Sequence, residues 1–224
     1  MDLIYAIPGQ TMDDWQRDVE TALALDPGVE HLSCYALTYE PNTAMTKRLQ
    51  HGEFERCDED LEADMYEWLV ERLRAEGFER YEVSNFARPD SESRHNLAYW
   101  RQESWLAAGP SASGHLRCAD AARGGLRWKN IPRLTDWMAG VERGGCSPVV
   151  DVETPDPKRA LCERIMMGLR VRDGLALDDL PGLDDAIGAE RSIGLVEVSG
   201  GRVRLTDRGF LQADGVARRL MAAL

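Results

Sequence analysis

The chain has 224 residues, enough for one large domain or for a medium domain plus a small one. Hydrophobic residues make up 43% and charged residues 29%, as in ordinary globular proteins, and the net charge of −12 disfavours non-specific binding to nucleic acid or anionic lipid. No apolar run approaches the ~20 residues of a membrane span, and we expect no secretory signal. The sequence therefore predicts a cytoplasmic protein with no nucleic-acid partner and at most peripheral membrane contact.

The first forty residues predict a βαβ unit. Residues 2–7 form an apolar run typical of a buried strand, and residues 8–11 form a turn. A helix beginning at Thr11 or Met12 is expected to end at residues 26–28, before a second strand at 31–39. Such a unit implies parallel pairing with a right-handed crossover. Because a domain rarely opens on a core strand, we expect the chain to begin inside a larger fold.

The middle of the chain alternates helices with strands and loops. We predict a short helix through Met45 and Leu49, a long helix at 58–75, a third strand at 80–86, a loop or hairpin at 117–130 and a short helix at 132–139. Residues 144–157 contain two glycines and three prolines, which is typical of a linker. The predicted domains are therefore 1–145 and 146–224.

The tail has the element order of a winged helix. Helices are expected at 158–171, 176–180 and 183–192, followed by a hairpin around residues 199–201 and a final helix capped by Thr206. Winged helices often bind DNA. The candidate recognition segment, 184–194, has three acidic residues and a single arginine, so it lacks the cations that phosphate contacts need. A structural role for the tail is the favoured interpretation.

The segment most typical of a binding site combines His95, Asn96, Tyr99 and Trp100 within six residues. If it is helical, His95 and Tyr99 share one face, as do Asn96 and Trp100. A nitrogen ligand beside two flat aromatic surfaces suits a large planar ligand whose metal takes an axial imidazole. The alternative is structural, because tyrosine and tryptophan are commonly half-buried anchors and a single histidine is commonly a surface residue.

Other candidate residues lie on the predicted strands. The turn at 8–11 follows a strand and opens a helix, where backbone N–H groups can face a ligand. Asp2 could accept hydrogen bonds from a ribose or an amine, and Ala36 could line a cleft. The alternatives are an ordinary βα turn, an exposed terminal acid and a packing residue. The sequence contains no G-x-S-x-G, H-E-x-x-H or C-x-x-C motif, so we predict no catalytic residues.

The five cysteines are widely spaced. An odd number of cysteines, no two within four residues, favours free thiols in a reducing compartment over a disulfide framework. The cysteines are Cys34, Cys57, Cys118, Cys146 and Cys162.

Five blocks of sequence, in order, resemble one family. The blocks are Asp2–Thr11 (DLIYAIPGQT), Leu32–Pro41, Asp64–Tyr66, Tyr81–Ala87 and Ser93–Trp100 (SRHNLAYW). They are similar to blocks of the haem chaperone and oxygen-independent coproporphyrinogen III oxidase-like family of radical S-adenosylmethionine proteins. The resemblance implies an α/β fold: the C-terminal part of a partial (β/α) barrel with an inserted α/β segment, followed by a small winged-helix-like α+β domain.

The resemblance also implies cofactors and site residues. Haem would be bound by the segment of His95, Asn96, Tyr99 and Trp100, with His95 as the metal ligand, and passed to acceptor proteins. S-adenosylmethionine would lie beside Asp2 and Ala36, in a protein that also carries a 4Fe-4S cluster. The alternative within the family is an oxidase that converts coproporphyrinogen III to protoporphyrinogen IX by oxidative decarboxylation.

Three departures from the family pattern bear on these expectations. The cluster-binding C-x-x-x-C-x-x-C motif is absent from this chain, and without three clustered thiolates there is no site for the cluster or for radical chemistry. Ala6 stands where the family usually has glycine. Residues 109–114 resemble a G-P-G-A-H-S block but lack its histidine, and His115 is not expected to substitute for it.

Overall fold

The structure is a computed structural model that describes residues 1–25, 28–120, 124–145 and 147–224. The chain forms two compact units, an N-terminal unit at Met1–Ser93 and a C-terminal unit at Arg94–Leu224. No helix within the described ranges is long and apolar enough to cross a membrane. The domain boundary expected at 145/146 stays a prediction, and the compact units divide at 93/94 instead.

The N-terminal unit opens with the predicted βαβ arrangement. Strand β1 (Asp2–Tyr5), helix α1 (Met12–Leu25) and strand β2 (His31–Ala36) follow in order, and the two strands pair in parallel. Both strands are shorter than predicted. The first ends because Ala6 takes a left-handed φ of 57°, which an extended strand cannot continue through. The predicted helix end at 26–28 includes residues 26 and 27, which lie outside the described residues.

Two more helices follow in the N-terminal unit, and the second of them packs against α1. Helix α2 (Ala44–Gln50) is short, whereas α3 (Glu59–Ala75) begins at the N-cap Asp58 and buries one apolar stripe as its spacing predicts. Trp15 of α1 is fully buried and donates from Nε1 to the carbonyl oxygen of Met65, 3.1 Å away. This hydrogen bond joins α1 to α3 and satisfies the one polar atom of the indole.

The single strand predicted at 80–86 is wrong. The chain instead forms β3 (Glu79–Arg80) and β4 (Asn85–Ala87), which pair antiparallel, and β4 also pairs antiparallel with β2, giving the order β1-β2-β4-β3. The cause is Glu82. Its buried carboxylate accepts hydrogen bonds from the backbone N–H of Ser84 and the side-chain amide of Asn85, and this folds the chain back on itself.

The C-terminal unit begins with helix α4 (Arg94–Trp100) and a three-stranded antiparallel sheet. The sheet has the order β5 (Ser113–Arg117), β6 (Gly125–Asn130) and β7 (Val149–Glu153), with helix α5 (Leu134–Gly144) between β6 and β7. The linker predicted at 144–157 is therefore wrong in its centre, where β7 pairs with β6 from Glu153 to Val149. Residues 121–123 of the predicted loop or hairpin, and Cys146, lie outside the described residues.

The tail has the predicted winged-helix order. It comprises α6 (Pro157–Gly168), β8 (Leu175–Ala176), a 3-10 turn (Leu177–Asp179), α7 (Asp184–Ser192), β9 (Val196–Ser199), β10 (Arg202–Leu205), α8 (Asp207–Leu211) and α9 (Ala213–Ala222). The final helix predicted after Thr206 is two helices, interrupted at Gln212. Its core contains fully buried side chains from three segments: Ile165 and Leu169 at the end of α6, Leu183 at the start of α7, and Leu220 of α9.

Candidate functional site

Helix α4 places His95 and Tyr99 on one face, as the sequence predicts. Their ring centroids are 4.8 Å apart and their planes meet edge to face at 88°. His95 is exposed, and its imidazole makes no hydrogen bond with any residue that the structure describes. Both ring nitrogens therefore face solvent without a protein partner, so a neutral imidazole here can coordinate a metal.

A turn at the end of α4 brings a third ring onto this face. The N–H of Gln102 donates to the carbonyl oxygen of Tyr99 at 3.0 Å, and the N–H of Glu103 donates to that of Ala98 at 2.9 Å. These two bonds, with Gln102 at a φ of 52°, form a Schellman motif. The reversal packs Trp105 against Tyr99, with centroids 4.7 Å apart and planes at 72°.

Trp105 is held rigidly by hydrogen bonds to β5. Its Nε1 donates to the carbonyl oxygen of Ser113 at 2.9 Å, and its backbone exchanges two hydrogen bonds with His115, at 2.8 and 3.0 Å. The His115 ring lies 4.8 Å from the Trp105 ring. We name His95, Tyr99, Trp105 and His115 the ring row. It runs from an exposed imidazole at one end to a buried one at the other.

His115 has a defined tautomer when neutral. Its Nδ1 lies 2.9 Å from the carbonyl oxygen of Glu103, and because a carbonyl can only accept, Nδ1 carries the proton. The Nε2 atom then carries the lone pair, and it lies close against Gly125, where an added Cβ would approach it to 2.1 Å. A buried imidazole fixed in this way supports Trp105.

Trp100 lies on a different side of α4 from His95 and Tyr99. It forms part of the wall of a cavity of about 240 Å³ that His95 and Tyr99 do not line. Its Nε1 is buried and has no hydrogen-bond partner among the described residues. Asn96 is half-buried. The structure thus brings His95 and Tyr99 together, as helical spacing predicts, and places Trp100 on another side of α4, although the sequence assigns all three rings to one haem-binding segment.

Glu163 of α6 connects the winged-helix-like tail to this region. Its two carboxylate oxygens each accept a 3.0 Å hydrogen bond from Arg127 of β6, and one also accepts from Gln102 at 3.2 Å. Gln102 is the residue that turns the chain after α4. The tail therefore fixes the turn that places Trp105 on Tyr99.

The two predicted strand residues lie in the N-terminal unit and do not meet. Ala36 is in register with Tyr5, three positions from Asp2, which corresponds to about 10 Å along the strand. By strand alternation, Asp2 and Ile4 share a face with Tyr35, whereas Ala36 lies on the opposite face. The joint role of Asp2 and Ala36 stays a prediction.

The described residues show no metal centre built from protein ligands. They contain no group of three or more histidine, cysteine, aspartate or glutamate side chains that could hold an ion. Burial raises the pKa of Cys34 to about 12, so this thiol stays protonated at neutral pH and is neither nucleophile nor metal ligand.

The sequence does not predict Trp105 and His115 as site residues. The contacts that recruit them cross from α4 to β5, and they depend on a left-handed turn at Gln102, a residue type that gives no turn signal. The available signal was the short distance in sequence between the predicted helix and Trp105, together with the small residues at 109–114.

Comparison with known proteins identifies relatives for both units. Residues 156–211 match the family described as the HemN C-terminal domain. The chain is 38% identical over 222 residues to "Heme chaperone HemW" of Mycobacterium tuberculosis, covering 99% of this chain and 54% of that protein. It is 32% identical over 176 residues to "Heme chaperone HemW" of Bacillus subtilis, covering 79% and 44%. It is 31% identical over 217 residues to the mitochondrial "Radical S-adenosyl methionine domain-containing protein 1" of Danio rerio, covering 93% and 48%.

A solved structure has the same fold. The Escherichia coli coproporphyrinogen III oxidase HemN, described as a radical SAM enzyme, superposes with a TM-score of 0.73 at 17% identity, covering 100% of this chain and 54% of that one. This match confirms the predicted fold class. The chain spans about half the length of the curated relatives it matches.

Proposed function

We propose a function from the premise that this chain belongs to the HemW and HemN family of radical S-adenosylmethionine proteins, whose C-terminal portion it matches. The relatives at 32–38% identity carry the name haem chaperone, which favours that function over coproporphyrinogen oxidation. In our proposal the chain is the haem-handling portion of a chaperone that binds haem on the ring row and releases it to acceptor proteins.

The residues of the ring row fit a haem. A planar macrocycle needs one axial nitrogen and flat apolar surfaces beside it. His95 supplies a solvent-facing imidazole with no competing hydrogen bond to a described residue, and this single observation carries the proposal. Tyr99 supplies such a surface, and Trp105, whose plane meets that of Tyr99 at 72°, holds the Tyr99 ring in place. When bound, the haem supplies an iron that accepts the imidazole lone pair.

An exposed haem-binding histidine suits a protein that transfers haem better than one that retains it. His95 and Tyr99 do not line the cavity of the C-terminal unit, so a haem held by them would remain accessible from solvent. An acceptor protein can then offer its own ligand before the His95 bond breaks. An oxidase would instead need an enclosed site that excludes water from reactive intermediates.

Of the other two family cofactors, we assign only S-adenosylmethionine to this chain. No cluster of thiolates exists in the described ranges, so the 4Fe-4S cluster does not fit the residues present. Asp2 is exposed and could accept hydrogen bonds from S-adenosylmethionine. It shares its sheet face with Ile4 and Tyr35, which are 50% and 44% exposed. We place the protein in the cytoplasm, as its free thiols suggest.

Haem titration tests the proposal. The wild-type protein should bind haem with a shifted Soret band, and His95→Ala should lose the shift and bind at least tenfold more weakly. His51→Ala is the matched control, since His51 is also exposed but ends α2 in the N-terminal unit. Equal binding by the wild type and His95→Ala would reject the ring row as the haem site.

A second variant tests the supporting role of the rings. Trp105→Ala removes the plane against which Tyr99 packs, so haem affinity should fall while His95 remains available. Spectra should keep the imidazole-ligated form at saturating haem. A Trp105→Ala protein with unchanged affinity would show that His95 acts without the ring row.

A further inference from the structure

The wall of the cavity in the C-terminal unit is rich in arginine. Its wall includes four arginines, Arg101, Arg117, Arg164 and Arg202, in a chain whose net charge is −12. Three carboxylates, Glu163, Asp173 and Asp179, also line it. Whether the wall attracts anions depends on how these acids are paired.

The three acids are already neutralised. Glu163 binds Arg127 from outside the wall, Asp173 lies 3.3 Å from Arg101, and Asp179 lies 3.9 Å from Arg164. Two arginines remain. Neither Arg117 nor Arg202 makes an ion pair with a residue in the described ranges, and the Arg202 guanidinium donates only to backbone carbonyl oxygens at 2.8 Å. The wall therefore carries two guanidinium charges without a carboxylate partner.

The wall of the cavity also includes Trp100. Trp100 Nε1 is buried and unpaired among the described residues, and an indole nitrogen can only donate. Because this nitrogen is buried, a ligand in the cavity does not reach it, and the unpaired charges on the described part of the wall are those of Arg117 and Arg202. An oxyanion bound in the cavity would compensate the charges of Arg117 and Arg202, which water cannot do.

His115 links this cavity to the ring row. It lines the cavity and packs against Trp105 at the same time. Trp100 itself is five residues after His95, which places it about 140° around α4. The cavity and the exposed imidazole are thus separate surfaces of one small structural unit.

We propose that this cavity binds an oxyanion, a carboxylate or phosphate group of a small molecule, through Arg117 and Arg202. The ligand could be a free small anion or, if haem is bound by the ring row as proposed above, a haem propionate. The chemistry of the site is the same for a free anion and for a propionate, and experiment distinguishes the two ligands.

Calorimetric titration with succinate and with inorganic phosphate, at low ionic strength, tests the site itself. The wild type should bind at least one of them, and Arg117→Gln and Arg202→Gln should each weaken binding about tenfold. Arg218→Gln is the matched control because Arg218 is exposed on α9, outside the cavity. Thermal melting of each variant verifies that it folds. No binding by the folded wild type, or equal weakening by Arg218→Gln, would overturn the proposal.

Haem dimethyl ester distinguishes the two sources and separates this proposal from the haem proposal. If a propionate occupies the cavity, the ester should bind more weakly than haem to the wild type and equally to Arg117→Gln. If both bind the wild type equally while succinate or phosphate still binds, the cavity takes a free anion. Loss of Soret binding with intact anion binding would overturn only the haem proposal, and loss of anion binding with an intact Soret shift would overturn only the cavity.

Discussion

Replacing Glu163 with glutamine would remove one charge from the contact between the tail and the β5-β6-β7 sheet. In the wild type, Glu163 accepts two 3.0 Å hydrogen bonds from Arg127 and one of 3.2 Å from Gln102, and its side chain is 18% exposed. Glutamine keeps one acceptor oxygen but places an N–H group, which cannot accept a hydrogen bond, against the guanidinium group of Arg127. One charge-assisted hydrogen bond is lost and the charge of Arg127 is left less compensated.

The expected cost follows from these contacts. A hydrogen bond to a charged group contributes about 1.5–3 kcal/mol, and partial solvent exposure of both partners reduces this to about 1–2 kcal/mol. For a chain of this size, that corresponds to a fall in Tm of about 2–8 °C. Circular dichroism during thermal and urea unfolding measures it.

Glu153→Gln is the control because it belongs to the same network. Glu153 is 42% exposed and lies 3.5 Å from Arg127 and 3.4 Å from Arg159, so its loss should cost less than about 0.5 kcal/mol. The reasoning is refuted if the two variants lose equal stability, or if Glu163→Gln melts like the wild type.

Three further predictions concern stability and reactivity. Gly125→Ala should lower the free energy of unfolding by about 1–3 kcal/mol or more, because the new Cβ would lie 2.1 Å from His115 Nε2. Gly188→Ala in α7 is the control: its new Cβ meets nothing within 4 Å, so the variant should be more stable by up to about 1 kcal/mol. Urea midpoints that rank the two variants the other way would contradict this. Since burial raises the pKa of Cys34 to about 12, a thiol reagent at neutral pH should label it only after unfolding, and Cys34→Ser should leave the native labelling amplitude unchanged. Burial lowers the pKa of His31, so below the ordinary histidine pKa of about 6.5 the unfolded chain binds more protons than the native chain. The free energy of unfolding should therefore fall as the pH is lowered from about 7 to about 5. The same pH dependence of stability in His31→Gln would contradict this assignment.

Local periodicity predicted the helices and the parallel βαβ unit well. The long helix α3 lies within one residue of its predicted range because Asp58 is a strong N-cap and the apolar stripe is regular. The tail was predicted in its correct order for the same reason. In these segments each local preference agrees with the tertiary packing.

The errors occur where a distant or buried group decides the backbone. Residues 80–86 read as one strand because the buried Glu82 carboxylate that folds them into a hairpin has no periodic signature. The glycines and prolines around β7 concealed a strand whose pairing with β6 is non-local. Ala6 adopts a left-handed backbone conformation, which glycine adopts most readily. This conformation explains why the family usually has glycine at this position, although the present chain has alanine.

The candidate site was predicted in chemistry but only in part in geometry. The His95–Tyr99 pair follows directly from helical spacing. Its support by Trp105 and His115, and the assignment of Trp100 to a separate cavity, depend on contacts between α4 and β5 that spacing does not contain.

Chemical rescue of the ferric haem complex tests the central claim most directly. His95→Gly should lose the imidazole-ligated absorption and electron paramagnetic resonance signals, and added imidazole should restore both, because the ring row still provides the surface beside the vacant ligand position. Restoration by imidazole in His95→Gly, but weaker restoration in His95→Gly combined with Trp105→Ala, is the predicted result. Wild-type spectra in His95→Gly without imidazole would contradict the account.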